Sequence, residues 1–132
     1  MTMQNMWGNI EEYESILPPH EIIAKQNEFL KKMTKGLLEL KIERKQSNTI
    51  YNYDIFISAP TMNQKQRIFR LTHDIKIYPA NVYDEQGTNE YKSADQAEFE
   101  KNLAIILSSK ETMTTIAGMM AQARLDQSNI LV

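Results

Sequence analysis

The sequence predicts an α+β protein of two layers, in which an antiparallel sheet of three to five strands carries an N-terminal helix and two C-terminal helices on one face. Three observations support this prediction. Apolar residues recur at helical spacing before Gly36 and alternate with charged residues after it, and these two periods are typical of an α-helix and a β-strand. Several alternating segments then follow with short connections, as in an antiparallel meander. Helical spacing returns in the last third of the chain, behind two serines placed as helix caps.

The composition is that of an ordinary globular domain. The chain has 132 residues, of which 42% are hydrophobic and 24% are charged, and this length predicts one domain. There is no cysteine, which excludes disulfides and thiolate metal sites and suits the reducing cytoplasm, where we expect the protein to act. The net charge of -2 argues against broad electrostatic binding to nucleic acid or to anionic membranes.

Neither an export signal nor a membrane span is expected. The first 17 residues contain three glutamates and no Lys or Arg, whereas a signal peptide begins with positive charge. No apolar run approaches the roughly 18 residues that a membrane span needs.

The first predicted helix follows Pro18. Residues before proline avoid the α region, and Pro19 suits the first helical position. The helix is predicted to run to Lys35, with Gly36 as a left-handed C-terminal cap. We accordingly divide the chain into an N-terminal extension or short helix (1–17), a single α+β domain (18–125) and a C-terminal tail (126–132).

Three or four strands are predicted next. They cover Leu37 to Lys45, Thr49 to Ala59, about Lys65 to Ile75, and a short segment from Lys76 to Tyr83 that Pro79 interrupts, since proline cannot donate to a strand ladder. The polar stretch from Asp84 to Lys92 is predicted to be a loop.

Two capping boxes predict the C-terminal helices. Ser93 with Gln96 starts the first helix, and Ser108 with Glu111 starts the second. The residues expected to face inward are Phe99, Leu103, Ile106 and Leu107 in the first helix, and Met113, Ile116, Ala117, Met120 and Ala121 in the second.

The same periods predict one contiguous core between the sheet and the helices. Alternate residues of each strand and every third or fourth residue of each helix point into it. Its expected members are Leu38, Leu40, Ile42, Tyr53, Ile55, Ile57, Phe69, Leu71, Phe99, Leu103, Ile106 and Ile116.

The dipeptide His73-Asp74 is the clearest candidate for chemistry. Metal-dependent phosphohydrolases use such a pair together with further histidines, because their metals need several ligands. Here the pair lies in a predicted strand, where adjacent side chains point to opposite faces, and the other histidine, His20, stands at a helix start. We therefore interpret His73 as structural and expect neither a metal nor a cofactor.

Acid–base catalysis by carboxylates is the alternative function from a different class. Asp54, Asp74, Asp84 and Glu85 lie near the predicted sheet, but a solvated surface is the usual place for such residues. Because few requirements of an active site are met, we expect a protein without enzymatic activity.

Nucleic-acid binding is the third reading. Lys65, Arg67 and Arg70 belong to one predicted strand, but the strand period places Arg67 and Arg70 on opposite faces. A solvated charged surface then explains these residues.

The apolar ends and the tyrosines point to a protein partner. Tryptophan, tyrosine and methionine are enriched at interfaces, and methionine adapts to irregular partners. Packing of Trp7 onto the protein's own domain is the competing interpretation, and the sequence does not decide between them. The predicted partner-binding residues are Trp7, Tyr51, Tyr78, Met119, Leu125 and Leu131.

A resemblance supports the element order. The run from Pro18 to Ile23, with Gln26, Leu30, Thr34 and Gly36 behind it, and the pairs Ala59-Pro60 and Tyr78-Pro79 are similar to a group of small uncharacterised bacterial and phage α+β proteins. The similarity covers Pro18 to Ala121. It implies a bacterial or phage origin and no particular activity.

The order of helix, meander with a Tyr-Pro pair and C-terminal helices also resembles the ubiquitin-conjugating and RWD superfold. Because the chain has no catalytic cysteine, this resemblance implies only a non-catalytic, partner-binding version of that fold.

The sequence as a whole favours a protein-interaction or self-associating module, such as an adaptor, an immunity or anti-defence protein, or a regulator. We expect a homodimer formed through the apolar ends, because exposed together they exceed the apolar patch that a monomer usually shows.

Overall fold

The computed structural model of the chain describes residues 3–127, with side chains as far as Leu125. Each strand of a five-stranded antiparallel sheet pairs with its neighbours in the sequence, so the predicted meander and α+β class are confirmed. In the described part of the chain, no helix is both long and apolar enough to cross a lipid bilayer. The elements are α1 (Pro19–Met33), β1 (Glu39–Ser47), β2 (Ile50–Ala59), β3 (Gln64–His73), β4 (Ala80–Asp84), β5 (Glu90–Ser93), α2 (Gln96–Leu107) and α3 (Lys110–Gln127).

The core lies between the sheet and the three helices. All twelve residues predicted for it belong to one cluster or pack against it. Leu40 and Ile42 are half-buried rather than buried, because β1 is an edge strand with a single neighbour. The inward faces predicted for β1, for β2 and for Phe69 and Leu71 of β3 are therefore the observed ones.

Helix α1 begins as predicted and ends two residues early. Pro18 is extended and Pro19 opens the helix. At the other end, the buried hydroxyl of Thr34 donates to the carbonyl of Leu30 and accepts from the N–H of Leu38. Gly36, at a φ of 82°, then donates its N–H to the carbonyl of Lys31 at 2.8 Å. Thr34 thus holds the tight turn from α1 into the sheet.

The predicted loop from Asp84 to Lys92 contains the fifth strand, so that prediction was wrong. The N–H groups of Thr88 and Asn89 and the side-chain amide of Asn89 all donate to the carboxylate of Asp84. This closed turn brings Glu90–Ser93 back alongside β4, with Ser93 opposite Ala80. A strand of four residues is too short to show an alternation in the sequence.

Both predicted helix caps are displaced. Asp95 caps α2 by accepting from the N–H of Glu98 at 2.9 Å, while Ser93 is buried at the end of β5 and accepts from the side chain of Asn102. Ser109 caps α3 by accepting from the N–H of Thr112. Each capping side chain lies three residues before the N–H that it accepts from, as this bond requires.

The inward face of α3 also differs from the prediction. Thr112, Ile116 and Ala123 are buried, whereas Ala117 and Ala121 are exposed. A polar residue can take the inward position because the hydroxyl of Thr112 donates to the carbonyl of Ile106 at 2.8 Å, which satisfies a buried hydroxyl. The helix is therefore rotated by about one residue from the predicted face.

Candidate protein-interaction groove

An open groove lies on the helix-covered face of the sheet, between α1 on one side and α2 and α3 on the other. Its volume is about 380 Å³. We call it the apolar groove, because its lining consists mainly of aliphatic and methionine side chains. The apolar lining residues are Ile22, Phe29, Leu30 and Met33 of α1, Leu40, Ile57 and Ile68 of the sheet, Leu103, Ala104 and Leu107 of α2, and Met113 and Ile116 of α3.

Three large apolar side chains remain exposed at the rim of the groove. Phe29 is 63% exposed, and Met33 and Met113 are exposed as well. Single exposed apolar residues are normal on a protein surface, but three around one concave apolar site form a patch of the kind found at interaction sites. Exposed apolar side chains therefore border the groove.

The helical spacing of α1 produces both its buried face and this rim. Ile23 and Leu30 are buried against the sheet, and Phe29 and Met33 lie on the adjacent stripe. Neither Phe29 nor Met33 is among the predicted core or partner-binding residues. The apolar stripe of α1 is wider than the rest of the domain covers. That excess width was the signal in the sequence for these rim residues.

The N-terminal arm, residues 3–16, is a second exposed apolar feature. Trp7 is 87% exposed. A short 3-10 turn, Ile10–Glu12, forms in the arm, where Asn9 accepts from the N–H of Glu11. The exposed apolar residues of the arm are Met3, Met6, Trp7, Ile10, Tyr13 and Ile16.

The arm leaves the domain at a fixed point. The N–H of Leu17 donates to the side-chain oxygen of Gln96 at 3.2 Å, and its carbonyl accepts from the hydroxyl of Tyr78 at 2.8 Å. Burial raises the pKa of Tyr78 to about 12, with smaller contributions from the negative charges of Glu100 and Asp95. Glu100 also lines the apolar groove, so the exit of the arm and the groove share one region of the protein.

The predicted partner-binding residues occupy separate places. Trp7 and Leu125 are exposed and Met119 packs against the core. Tyr51 stacks on His73, and the Tyr78 hydroxyl is used within the chain. None of these five described residues lines the apolar groove, and Leu131 lies outside the described residues.

Both histidines belong to one aromatic cluster, in which each of them contacts Tyr53. The ring of His20 stacks on Tyr53 at a centroid distance of 5.4 Å, and His73 lies 5.5 Å from both Tyr51 and Tyr53. His73 Nδ1 contacts the carbonyl of Asp74 at 2.7 Å, while the Asp74 carboxylate accepts from the N–H of Lys76. His73 and Asp74 therefore do not act as a pair.

This cluster has little of what a metal site needs. Across residues 3–127, as far as side chains are described, no group of three or more His, Asp or Glu residues has a geometry that could hold a metal ion. The buried Nδ1 of His20 and Nε2 of His73 have no hydrogen-bond partner among the residues that the structure describes. Stacking between four rings accounts for the contacts of the cluster.

The carboxylates considered for catalysis are engaged in structural contacts. Glu85 pairs with Arg67 at 3.2 Å. Burial alone raises the pKa of Asp84, but hydrogen bonds from Asn89, Thr88 and Gly87 outweigh it and lower the pKa below its usual value. A general acid needs a raised pKa, so Asp84 itself is not suited to that role.

A β-bulge corrects the predicted positions of the arginines. Ile55 lies opposite Phe69, and the next residue of β2 lies opposite Arg67, so Ile68 is an extra residue in β3. Arg67 and Arg70 consequently lie on the same face, although the strand period predicted opposite faces.

The three basic residues of β3 on this face form ion pairs with carboxylates. Arg67 and Arg70 both contact Asp54, which is only 9% exposed, at 3.5 and 2.9 Å. Lys65 forms an ion pair with Glu43. These three side chains are thus paired with carboxylates, whereas Lys41, Lys45 and Lys92 lie on the same face without an ion pair among the described residues. Nucleic-acid binding favours a continuous basic patch, and the paired residues interrupt it.

Comparisons with known proteins identify no relative. No protein-family model, no curated protein and no solved structure matches the chain. The resemblances drawn from the sequence stay predictions, and the argument for function depends on the groove and the arm.

Proposed function

We propose that the protein is a non-enzymatic interaction module whose apolar groove binds an apolar segment of a protein chain. The observation that supports this proposal is the exposure of Phe29, Met33 and Met113 around the groove. A volume of about 380 Å³ is within the range of binding sites, which is roughly 300–1,000 Å³. Burial of these three side chains by a partner would supply the main driving force.

A chain segment suits the groove better than a small molecule does. Small-molecule sites carry convergent polar groups that orient the ligand. Four polar residues line the groove, against twelve apolar ones. Ser108 donates to the carbonyl of Ala104 and Thr112 to that of Ile106, so the side chains of Gln26 and Glu100 are left to orient a ligand. An amphipathic helix, by contrast, is recognised through apolar anchors in a groove, and methionines at the rim adapt to its side chains.

The charges beside the rim favour an acidic partner segment. Lys25 and Lys32 stand four residues before and three residues after Phe29, and both are exposed. Residues at these intervals are neighbours on a helix surface. The expected ligand is therefore an amphipathic segment with apolar anchors and flanking carboxylates.

The alternative functions have weaker support. A hydrolase would need an acid or base with a shifted pKa, and the carboxylates near His73 are held in turns and ion pairs. A nucleic-acid binder would need a continuous basic patch, and the three basic side chains of β3 are paired with carboxylates. An adaptor, an immunity or anti-defence protein, or a regulator in a bacterial or phage-infected cytoplasm is the reading that fits an open apolar groove.

Affinity purification with three baits tests the proposal. The wild-type protein, Phe29→Glu and Ile105→Glu are compared, and each captured protein is then purified and titrated by calorimetry. Ile105 is helical, apolar and exposed like Phe29 but lies outside the groove. We expect Phe29→Glu to weaken binding at least tenfold (about 1.4 kcal/mol) and Ile105→Glu to leave it unchanged. A partner that binds Phe29→Glu with full affinity would contradict the proposal.

A further inference from the structure

We infer that the segment in the apolar groove is the N-terminal arm of a second copy of this chain, so that two protomers exchange arms. The inference rests on the proposed function, because it uses the same groove, and it names the partner. Each protomer would contribute one arm and one groove, which makes the two contacts identical, as in a closed two-fold dimer.

The arm has the pattern of a groove-binding helix. Met3, Met6, Trp7 and Ile10 stand at positions i, i+3, i+4 and i+7, which is the spacing of the anchors that enter an apolar groove. All four side chains are exposed in the single chain. A short turn, Ile10–Glu12, is the only helical structure of the described arm, so the arm would complete its helix upon docking.

The charges of the arm complement those beside the groove. Glu11, Glu12 and Glu14 make the arm acidic, and Lys25 and Lys32 flank the exposed ring of Phe29 on α1. Glu100 of α2 lines the other side of the groove, so the glutamates of the arm would lie toward α1. Opposite charges at the edge of an apolar contact favour the correct docking orientation and speed association. The arm therefore has both properties that the proposed function requires of a ligand.

The exit of the arm favours a second copy over the same chain. Both backbone polar groups of Leu17 are hydrogen-bonded to the domain, and Pro18 restricts Leu17 to extended conformations. These bonds fix the direction in which the chain leaves Leu17, and none of the described arm residues lines the groove of the same chain. A second protomer can supply its arm while the bonds of Leu17 stay intact.

Trp7 reports the position of the arm directly, because it is the only tryptophan of the chain. Light scattering and Trp7 fluorescence are measured together over a range of protein concentrations. We expect the mass to rise from 15.4 kDa to about twice that value, and the emission maximum to move to shorter wavelengths over the same range.

A mixing experiment identifies the contact. Phe29→Glu retains the arm and its tryptophan but has a damaged groove, whereas Trp7→Ala retains the groove and has no tryptophan. Phe29→Glu alone should not show the shift of the Trp7 emission maximum, and Trp7→Ala alone has no tryptophan emission. A mixture of the two variants should show the shift. Ile105→Glu, which is outside the groove, should behave as the wild-type protein does.

Two outcomes would overturn the inference. One is a monomer with an exposed Trp7 at every concentration, and the other is a monomer with a buried Trp7, which would place the arm on its own chain. If Phe29→Glu still weakens binding of a purified partner, the groove remains a protein-binding site and only the arm exchange fails. If Phe29→Glu changes neither the binding of a purified partner nor the association of the chain with itself, the proposed function fails together with the arm exchange.

Discussion

The hydroxyl of Tyr78 donates a hydrogen bond of 2.8 Å to the carbonyl oxygen of Leu17, across 61 residues of sequence. This bond joins the segment before β4 to the last residue of the N-terminal extension. Gln96, at the start of α2, holds the N–H of the same residue. Leu17 is thereby the point at which the exposed arm is tied to the domain.

The raised pKa of Tyr78 predicts a loss of stability in alkali. The folded protein keeps this phenol neutral up to a pH of about 12, above its ordinary pKa of 10.0. The stabilising contribution is therefore complete below pH 10 and is lost as the pH rises through 12. Tyr78→Phe should lower the free energy of unfolding by about 1 kcal/mol at neutral pH. Urea unfolding at pH 8 to 11 should show that the difference between this variant and the wild-type protein becomes smaller as the pH rises. A constant difference would contradict the assignment.

The turn at Asp84 predicts the opposite dependence on pH. Because the pKa of Asp84 is lowered, its contribution is present above the ordinary pKa of a carboxyl group and is lost as the pH falls through the folded value. Asp84→Ala should destabilise the protein by about 1 kcal/mol at pH 7, with less difference in acid. Hydrogen exchange should also quicken at the β5 amides, and unchanged exchange there would count against the role of this turn.

The shared contact of Arg67 and Arg70 with Asp54 predicts a measurable ion-pair effect. Asp54→Asn keeps the shape of the side chain and removes its charge. It should lower the free energy of unfolding by about 1 kcal/mol, because the partial exposure of both arginines limits the strength of the ion pairs. Glu28→Gln is the matched control, since Glu28 lies 4.0 Å from Lys31 on an exposed helix face. Chemical denaturation measures both, and equal effects would show that burial of Asp54 adds nothing.

Chelation should leave the protein unchanged. The chain has no cysteine, and the described side chains form no group of three metal ligands. We therefore expect the same melting temperature in excess EDTA as in buffer, since removal of a structural metal would lower it. A drop of several degrees would direct attention to His20 and His73.

Long elements with a clear period were predictable from the sequence. The alternation from Leu38 onward and the helical spacing before it reflect burial of one face, which acts on each residue through its immediate neighbours. The Pro18-Pro19 start of α1 depends on the geometry of proline alone. The order of helix, meander and helices followed from these local rules.

Features that depend on a single residue were not predictable in the same way. Ser93 and Asp95 are both acceptable helix caps, and only the pairing of Ser93 with β4 assigns the cap to Asp95. Likewise, nothing in the sequence around Ile68 distinguishes a bulge from a regular strand, yet that one extra residue reversed the face of Arg67.

The sequence by itself determined the order of helix, meander and C-terminal helices and the twelve predicted core positions, because each depends on the pattern of apolar residues along the chain. Only the tertiary structure decided that Phe29 and Met33 border an open groove with Met113. The exposure of these three residues depends on the distance between α1 and the C-terminal helices. That distance is set by how all three helices pack on one sheet, and no local pattern records it.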